Sequence, residues 1–275
     1  MAQAHTKAND GPAGTRPALS DDQLRELLPL TKGADSVELK LTVPDSDLFS
    51  SVRALRMDPL EAQLRQIVFF DTPDLELNKA GVVVRARRVQ GKGDDTVVKL
   101  RPVVPSELPA KIRRLPTFGV EVDAMPGGFV CSGSLKGALD AGPVRRTILG
   151  SLAVRKLFSK EQRAFYAEHA PEGLELDDLM LLGPILVFKL RLVPKGFPRK
   201  LVAELWLYPD GSRLLELSTK CAPPEMFDVL AESRAFLLER GVPLGGEQET
   251  KTRKALEYFS ASLRERDEAL SEVAS

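Results

Sequence analysis

The chain has 275 residues, 43% hydrophobic and 28% charged, with 39 basic and 39 acidic side chains and hence no net charge. This balance excludes collagenous, wholly disordered and disulfide-scaffold proteins, and it leaves no global field to draw the molecule toward nucleic acid or an acidic membrane. The longest apolar run, Leu179 to Phe188, is interrupted by Gly183-Pro184 and reaches about half a bilayer span. Cys131 and Cys221 are too few for a disulfide framework, and no signal-like segment follows Met1, so the expected location is cytoplasmic.

Residues 1–19 are rich in Ala, Gly, Pro and Thr without apolar periodicity and are expected to be a disordered tail. Ser20 and Gln23 have capping-box spacing ahead of Leu24, Leu27 and Leu28, which predicts a short helix. Ser36 to Val43 then alternates strictly, with Ser36, Glu38, Lys40 and Thr42 on one face and Val37, Leu39, Leu41 and Val43 on the other. A helix over Leu48 to Leu55 is followed by strands at Gln66–Asp71, Gly81–Arg88, Thr96–Arg101 and Gly119–Asp123. Ser159 to Ala167 fits a surface helix, and strands resume at Ile185–Val193, Leu201–Leu207 and Arg213–Ser218. Pro223-Pro224 opens a helix toward Gly241, and a charged helix runs from about Glu249. The expected organisation is one domain over residues 20–260, terminal helices included, with residues 261–275 a fraying helical tail.

The polar faces of these strands carry the chemical information. Glu38 and Lys40, Arg85 and Arg87, Lys99 and Arg101, Glu121 and Asp123, and Lys189 and Arg191 are charged residues two apart, each pair about 6.6 Å apart on one face. A solvated sheet face also alternates charged and apolar residues, but it tends to place opposite charges across from each other, whereas here cations and carboxylates segregate strand by strand. Two like charges 4 Å apart at an effective dielectric near 20 repel by about 4 kcal/mol, so the cationic strands call for an anion. Closed into a barrel with this face inward, the basic residues suit phosphate oxygens, and carboxylates beside them suit a divalent cation. A metal polyphosphate is the ligand such a lining describes.

The motifs S-V-E-L-K from Ser36, Phe70-Asp71-Thr72-Pro73-Asp74-Leu75 with Leu77 and Gly81, R-A-R from Arg85, V-V-K-L-R ending at Arg101, and E-V-D from Glu121 together resemble the CYTH proteins, or triphosphate tunnel metalloenzymes. These include class IV adenylyl cyclases, thiamine triphosphatases and inorganic triphosphatases. The resemblance spans roughly residues 36–220 and implies an α+β fold with a closed or nearly closed eight-stranded antiparallel barrel and peripheral helices. It further implies that Glu38 and Lys40 act catalytically. On the same resemblance Lys40, Arg85, Arg87 and Lys99 would bind phosphate, and Glu38, Glu121, Asp123 and Glu204 would hold Mg²⁺ or Mn²⁺; strand alternation adds Arg101, Lys189 and Arg191 to the expected phosphate-binding residues and Glu216 to the expected metal carboxylates. Arg163, in the basic segment with Lys156 and Lys160, is counted with the phosphate-binding residues, although that segment equally fits a solvated helix. One departure is Ser36, which stands where the family motif opens with Glu, and Asp35 would face the opposite way.

The expected activity is metal-dependent hydrolysis of a small triphosphate. The alternatives are an adenylyl cyclase and a non-catalytic module binding triphosphate or polyphosphate. A triphosphorylated RNA end is a further possible partner, and neither a membrane nor duplex nucleic acid is expected. His5, in the tail, and His169, beside Ala170-Pro171, are not placed to act as bases, and Trp206 is expected to pack.

Overall fold

A computed structural model describes residues 21–245 and 251–273. The expected tail at residues 1–19, with His5, and the expected Ser20 cap lie outside the described residues.

Nine strands close into a barrel: β1 (Ser36–Val43), β2 (Gln63–Asp71), β3 (Val82–Val89), β4 (Asp95–Leu100), β5 (Phe118–Met125), β6 (Gly128–Ala138), β7 (Met180–Leu192), β8 (Leu201–Leu207) and β9 (Arg213–Cys221). Around the ring the order is β1-β5-β6-β4-β3-β2-β7-β8-β9, with β9 pairing back to β1. The expectation of eight strands, all antiparallel, is therefore corrected. A closed ring with an odd number of strands cannot alternate direction throughout, and the unavoidable parallel joint is β1–β5, with Ser36 opposite Glu121 and Glu38 opposite Asp123.

The strand absent from the sequence reading is β6, and its composition explains why. Its sequence, GFVCSGSLKGA, lacks a clean apolar alternation, in part because two of its three glycines sit under larger neighbours. A Cβ at Gly133 would stand 2.8 Å from the Phe118 ring, and one at Gly137 would stand 2.6 Å from both Gln162 and Thr96.

The barrel is polar inside and apolar outside. In β1, Val37, Leu39, Leu41 and Val43 are buried toward the outer layer while the alternate residues face the lumen. The outer layer comprises α1 (Asp21–Thr31), α2 (Leu48–Ala54), α3 (Glu76–Lys79), α4 (Ala110–Arg113), α5 (Pro143–Ile148), α6 (Lys160–His169), α7 (Met226–Glu239) and α8 (Lys251–Val273). Leu27 of α1 and Met226 and Val229 of α7 pack on Val37, Leu39, Val120 and Val122, whereas Phe165 and Tyr166 of α6 pack on Val84, Val98 and Leu135. One apolar cluster is different in kind. It combines lumen-facing Ile67, Phe69, Val187, Trp206 and Leu214 with Ala255 and Leu256 of α8, and so floors one end of the lumen. Among the described residues no helix is long and apolar enough to cross a membrane.

Candidate functional site: a charged tunnel

Two local devices hold the strand ends that carry the charges. Asp71, in the Phe70-Asp71-Thr72-Pro73 motif, accepts backbone N–H groups from Thr72, Leu77 and Asn78 at 2.8, 2.9 and 3.0 Å, so it shapes the turn into α3 rather than binding a ligand. Gly81 follows at φ +75°, and a Cβ there would meet the Arg101 carbonyl at 2.8 Å. Its own carbonyl accepts the Arg101 N–H at 2.8 Å, which fixes where β4 delivers the Arg101 side chain.

The lumen is a cavity of about 1060 Å³. All the lumenal residues expected from the sequence line it: Glu38, Lys40, Arg85, Arg87, Lys99, Arg101, Glu121, Asp123, Lys189, Arg191, Glu204 and Glu216. Arg163 is the exception and is corrected here. Helix α6 buries Gln162, Phe165 and Tyr166 against the barrel's outer wall, which leaves Arg163 exposed and donating to the Phe158 carbonyl at 2.6 Å. His169 is likewise outside, its ring Nδ1 2.8 Å from the Phe165 carbonyl.

The charges divide into two regions. On the side of β1, β5 and β9, every carboxylate has a cation. Asp123, fully buried, lies 2.6 Å from Lys40, 2.9 Å from Arg101 and 3.9 Å from Lys99. Glu38 lies 3.3 Å from Lys40 and accepts the Ser218 hydroxyl at 2.9 Å, and Glu121 pairs with Lys220. Burial pushes the Glu38 carboxyl upward, but Lys40, Lys220 and Lys251 more than offset this and hold it down at about 2. Conversely, burial opposes the charge on Lys40 while Asp123 and Glu38 raise its pKa.

On the side of β2, β3 and β7 the cations outnumber the anions. Arg87 is held bidentately by Asp95 at 2.7 and 2.9 Å, and Lys189 lies 2.6 Å from Glu204. Arg65, Arg85 and Arg191 make no ion pair among the described residues, and the Nε atoms of Arg65 and Arg85 are buried without a hydrogen-bond partner. Burial, reinforced by Arg87, drives the Arg85 guanidinium down to about 10. Lys99 falls to about 8, first through burial and then through Lys40 and Arg101. Burial is the larger cause at both residues, and the neighbouring cations add to it.

Several lumenal residues escaped the sequence reading. Arg65 lies just before the segment read as β2, and extending the alternation by two residues finds it. Ser218 and Lys220 continue the alternation of Glu216. Lys251 lies in the charged C-terminal helix, which by its composition reads as a solvated face, although terminal helices of the resembled family can plug the barrel; it reaches the lumen because α8 docks across the barrel end, where Thr252 and Arg253 also line the cavity.

The carboxylates meet one requirement of a metal site. Glu38, Glu121 and Asp123 bring ligand oxygens within 4.8 Å of one another. Three hard oxygen donors of this kind suit Mg²⁺ or Mn²⁺, so this set fits one such ion. Ser36 lies beside it, its hydroxyl donating to Glu121 at 3.4 Å, and Asp35 does not stand in, because its carboxylate accepts the Val120 N–H at 2.7 Å. Glu204 and Glu216 lie apart, facing each other across β8 and β9 with Lys251 bound to both.

No protein-family model and no curated protein sequence matches this chain. Among solved structures, a Bacillus halodurans protein described as a candidate adenylate cyclase superposes with a TM-score of 0.55 at 13% identity, over 80% of this chain and 97% of that one. A Hippeastrum protein, a candidate adenylyl cyclase described as having a dominant triphosphatase activity, superposes with a TM-score of 0.57 at 17% identity, over 78% and 92% of the two chains. The chain has the fold of these proteins. At these identities the likeness is one of fold, and the charged lumen is the interior of that barrel.

Proposed function

We propose that the tunnel binds a small linear triphosphate and hydrolyses its terminal phosphoanhydride bond with the help of one divalent cation. The observation that carries this reading is the placement of Arg65, Arg85 and Arg191, which make no ion pair among the described residues, in the same lumen as the carboxylates Glu38, Glu121 and Asp123. The three arginines, with Lys99, hold phosphate oxygens through charge-assisted hydrogen bonds. An ion at Glu38, Glu121 and Asp123 would supply Lewis-acid polarisation of a phosphoryl oxygen. Lys40, between Glu38 and Asp123, keeps both carboxylates ionised and aligned. Glu38, held ionised by Lys40, Lys220 and Lys251, can accept a hydrogen bond from the attacking water and orient it. Phosphoryl transfer is chiefly a matter of positioning and charge stabilisation, and the crowded cations provide both. The Hippeastrum protein of the same fold, with its triphosphatase activity, supports the reaction class.

A cyclase reading needs a platform for the base. The aromatic side chain among the described lining residues is Trp206, only 1% exposed and covered by Lys251, so hydrolysis is favoured. A non-catalytic triphosphate-binding module is a second reading, favoured by the ion pairs that already occupy Glu121 and Asp123.

The test is product analysis with tripolyphosphate, ATP and thiamine triphosphate, with Mn²⁺ or Mg²⁺ and with chelator, on wild type and Ser36→Glu. Metal-dependent release of orthophosphate is expected. Ser36→Glu, which adds a carboxylate beside Glu121, should lower the Mn²⁺ concentration giving half-maximal rate by severalfold. Pyrophosphate with cyclic nucleotide would replace the hydrolase reading by the cyclase, and binding without product would establish the module.

A further inference from the structure

Glu204 and Glu216 occupy directly opposed positions on adjacent strands, a pairing that is repulsive unless a cation lies between them. Two facing carboxylates beside a polyphosphate site would ordinarily draw a divalent ion. Here the cation is part of the chain. Lys251 donates to Glu204 and, at 2.7 Å, to Glu216, while Lys189 takes the other oxygen of Glu204 at 2.6 Å. The Lys251 ammonium also lies 5.4 Å from the centre of the Trp206 ring, whose indole N–H points to Glu204 at 3.4 Å.

Lys40 is held as closely between Glu38 and Asp123, at 12% exposed, but the anchoring of Lys251 sets it apart from Lys220, the cation on Glu121. Lys251 begins α8 as described, and within three turns the helix buries Ala255, Leu256 and Ser260, the last donating to the Pro73 carbonyl at 2.6 Å. Its side chain is 17% exposed, against 53% for Lys220 on Glu121. Lys220 can therefore swing to a phosphate or to solvent and leave Glu121 to an ion, whereas displacing Lys251 means withdrawing a buried charge from two carboxylates and an aromatic face.

We propose that Lys251 is a built-in counter-ion that bars the Glu204/Glu216 pair from divalent cations, so that this pair takes none while triphosphate is bound. The inference rests on the reading of the lumen as a triphosphate site, with its one metal position at Glu38, Glu121 and Asp123. It makes the helix that floors the tunnel a determinant of metal stoichiometry.

The experiment counts Mn²⁺ bound per chain, by electron paramagnetic resonance during equilibrium dialysis, in the presence of a non-hydrolysable imido analogue of tripolyphosphate. Wild type is expected to bind one ion and Lys251→Met one more. Lys251→Met should also melt lower than wild type in chelator and recover in Mn²⁺. If Lys251→Met fails to fold, Glu216→Gln serves, and it should leave the wild-type count unchanged. Two ions on wild type, no gain in Lys251→Met, or a lower count in Glu216→Gln would each overturn the inference. If wild type binds none while Lys251→Met binds one, the inference holds and the metal position of the proposed function is what fails.

Discussion

Replacing Arg85 by methionine is expected to weaken tripolyphosphate binding by roughly 10- to 100-fold, the loss of one charge-assisted contact of about 1.5 to 3 kcal/mol, without lowering the melting temperature of the ligand-free protein. Arg85 has a buried Nε without a partner, no ion pair, and a pKa driven down by burial and Arg87. In the free protein its charge is a burden, so removing it leaves stability equal or higher. Arg87 would be a poorer probe, because its removal also strands Asp95. Titration calorimetry for affinity and a melting curve for stability decide the matter. A ligand-free protein that melts lower with affinity unchanged would make Arg85 a structural residue.

Asp123→Asn should behave in the opposite way. Asp123 is fully buried among Lys40, Arg101 and Lys99, and those three cations draw its pKa down against the effect of burial. Removing one member of a buried ion cluster costs about 3 to 5 kcal/mol, which lowers the melting temperature of a domain this size by on the order of 10 °C. Tripolyphosphate returns negative charge to the same cations, so the ligand-induced rise in melting temperature should be larger in the variant than in wild type. Equal melting of the two ligand-free proteins would show that the cluster does not depend on this charge balance.

The lumen was legible because strand alternation is a local property. Parity alone assigned Glu38, Lys40, Arg85, Arg87, Lys99, Arg101, Glu121, Asp123, Lys189 and Arg191 to a common face, and they share one cavity. What parity could not reach was set by packing between distant segments. Gly133 and Gly137 of β6 leave room for Phe118 and Gln162, so the strand carries no apolar period of its own. The parallel β1–β5 joint follows from inserting that strand. Arg163 lies on a helix whose orientation is decided by Phe165 and Tyr166, not by its basic neighbours. Lys251 enters the lumen through the docking of α8, whose charged composition by itself reads as a solvated face.

The central claim is that the lumen is a site for a linear triphosphate, and the most direct measurement is calorimetric titration of wild type with tripolyphosphate in chelator and in Mn²⁺, at several salt concentrations. The predicted result is one ligand per chain, an affinity that falls steeply with salt, and tighter binding with the ion present. No binding in either condition, or binding no tighter than that of sulfate, would contradict it.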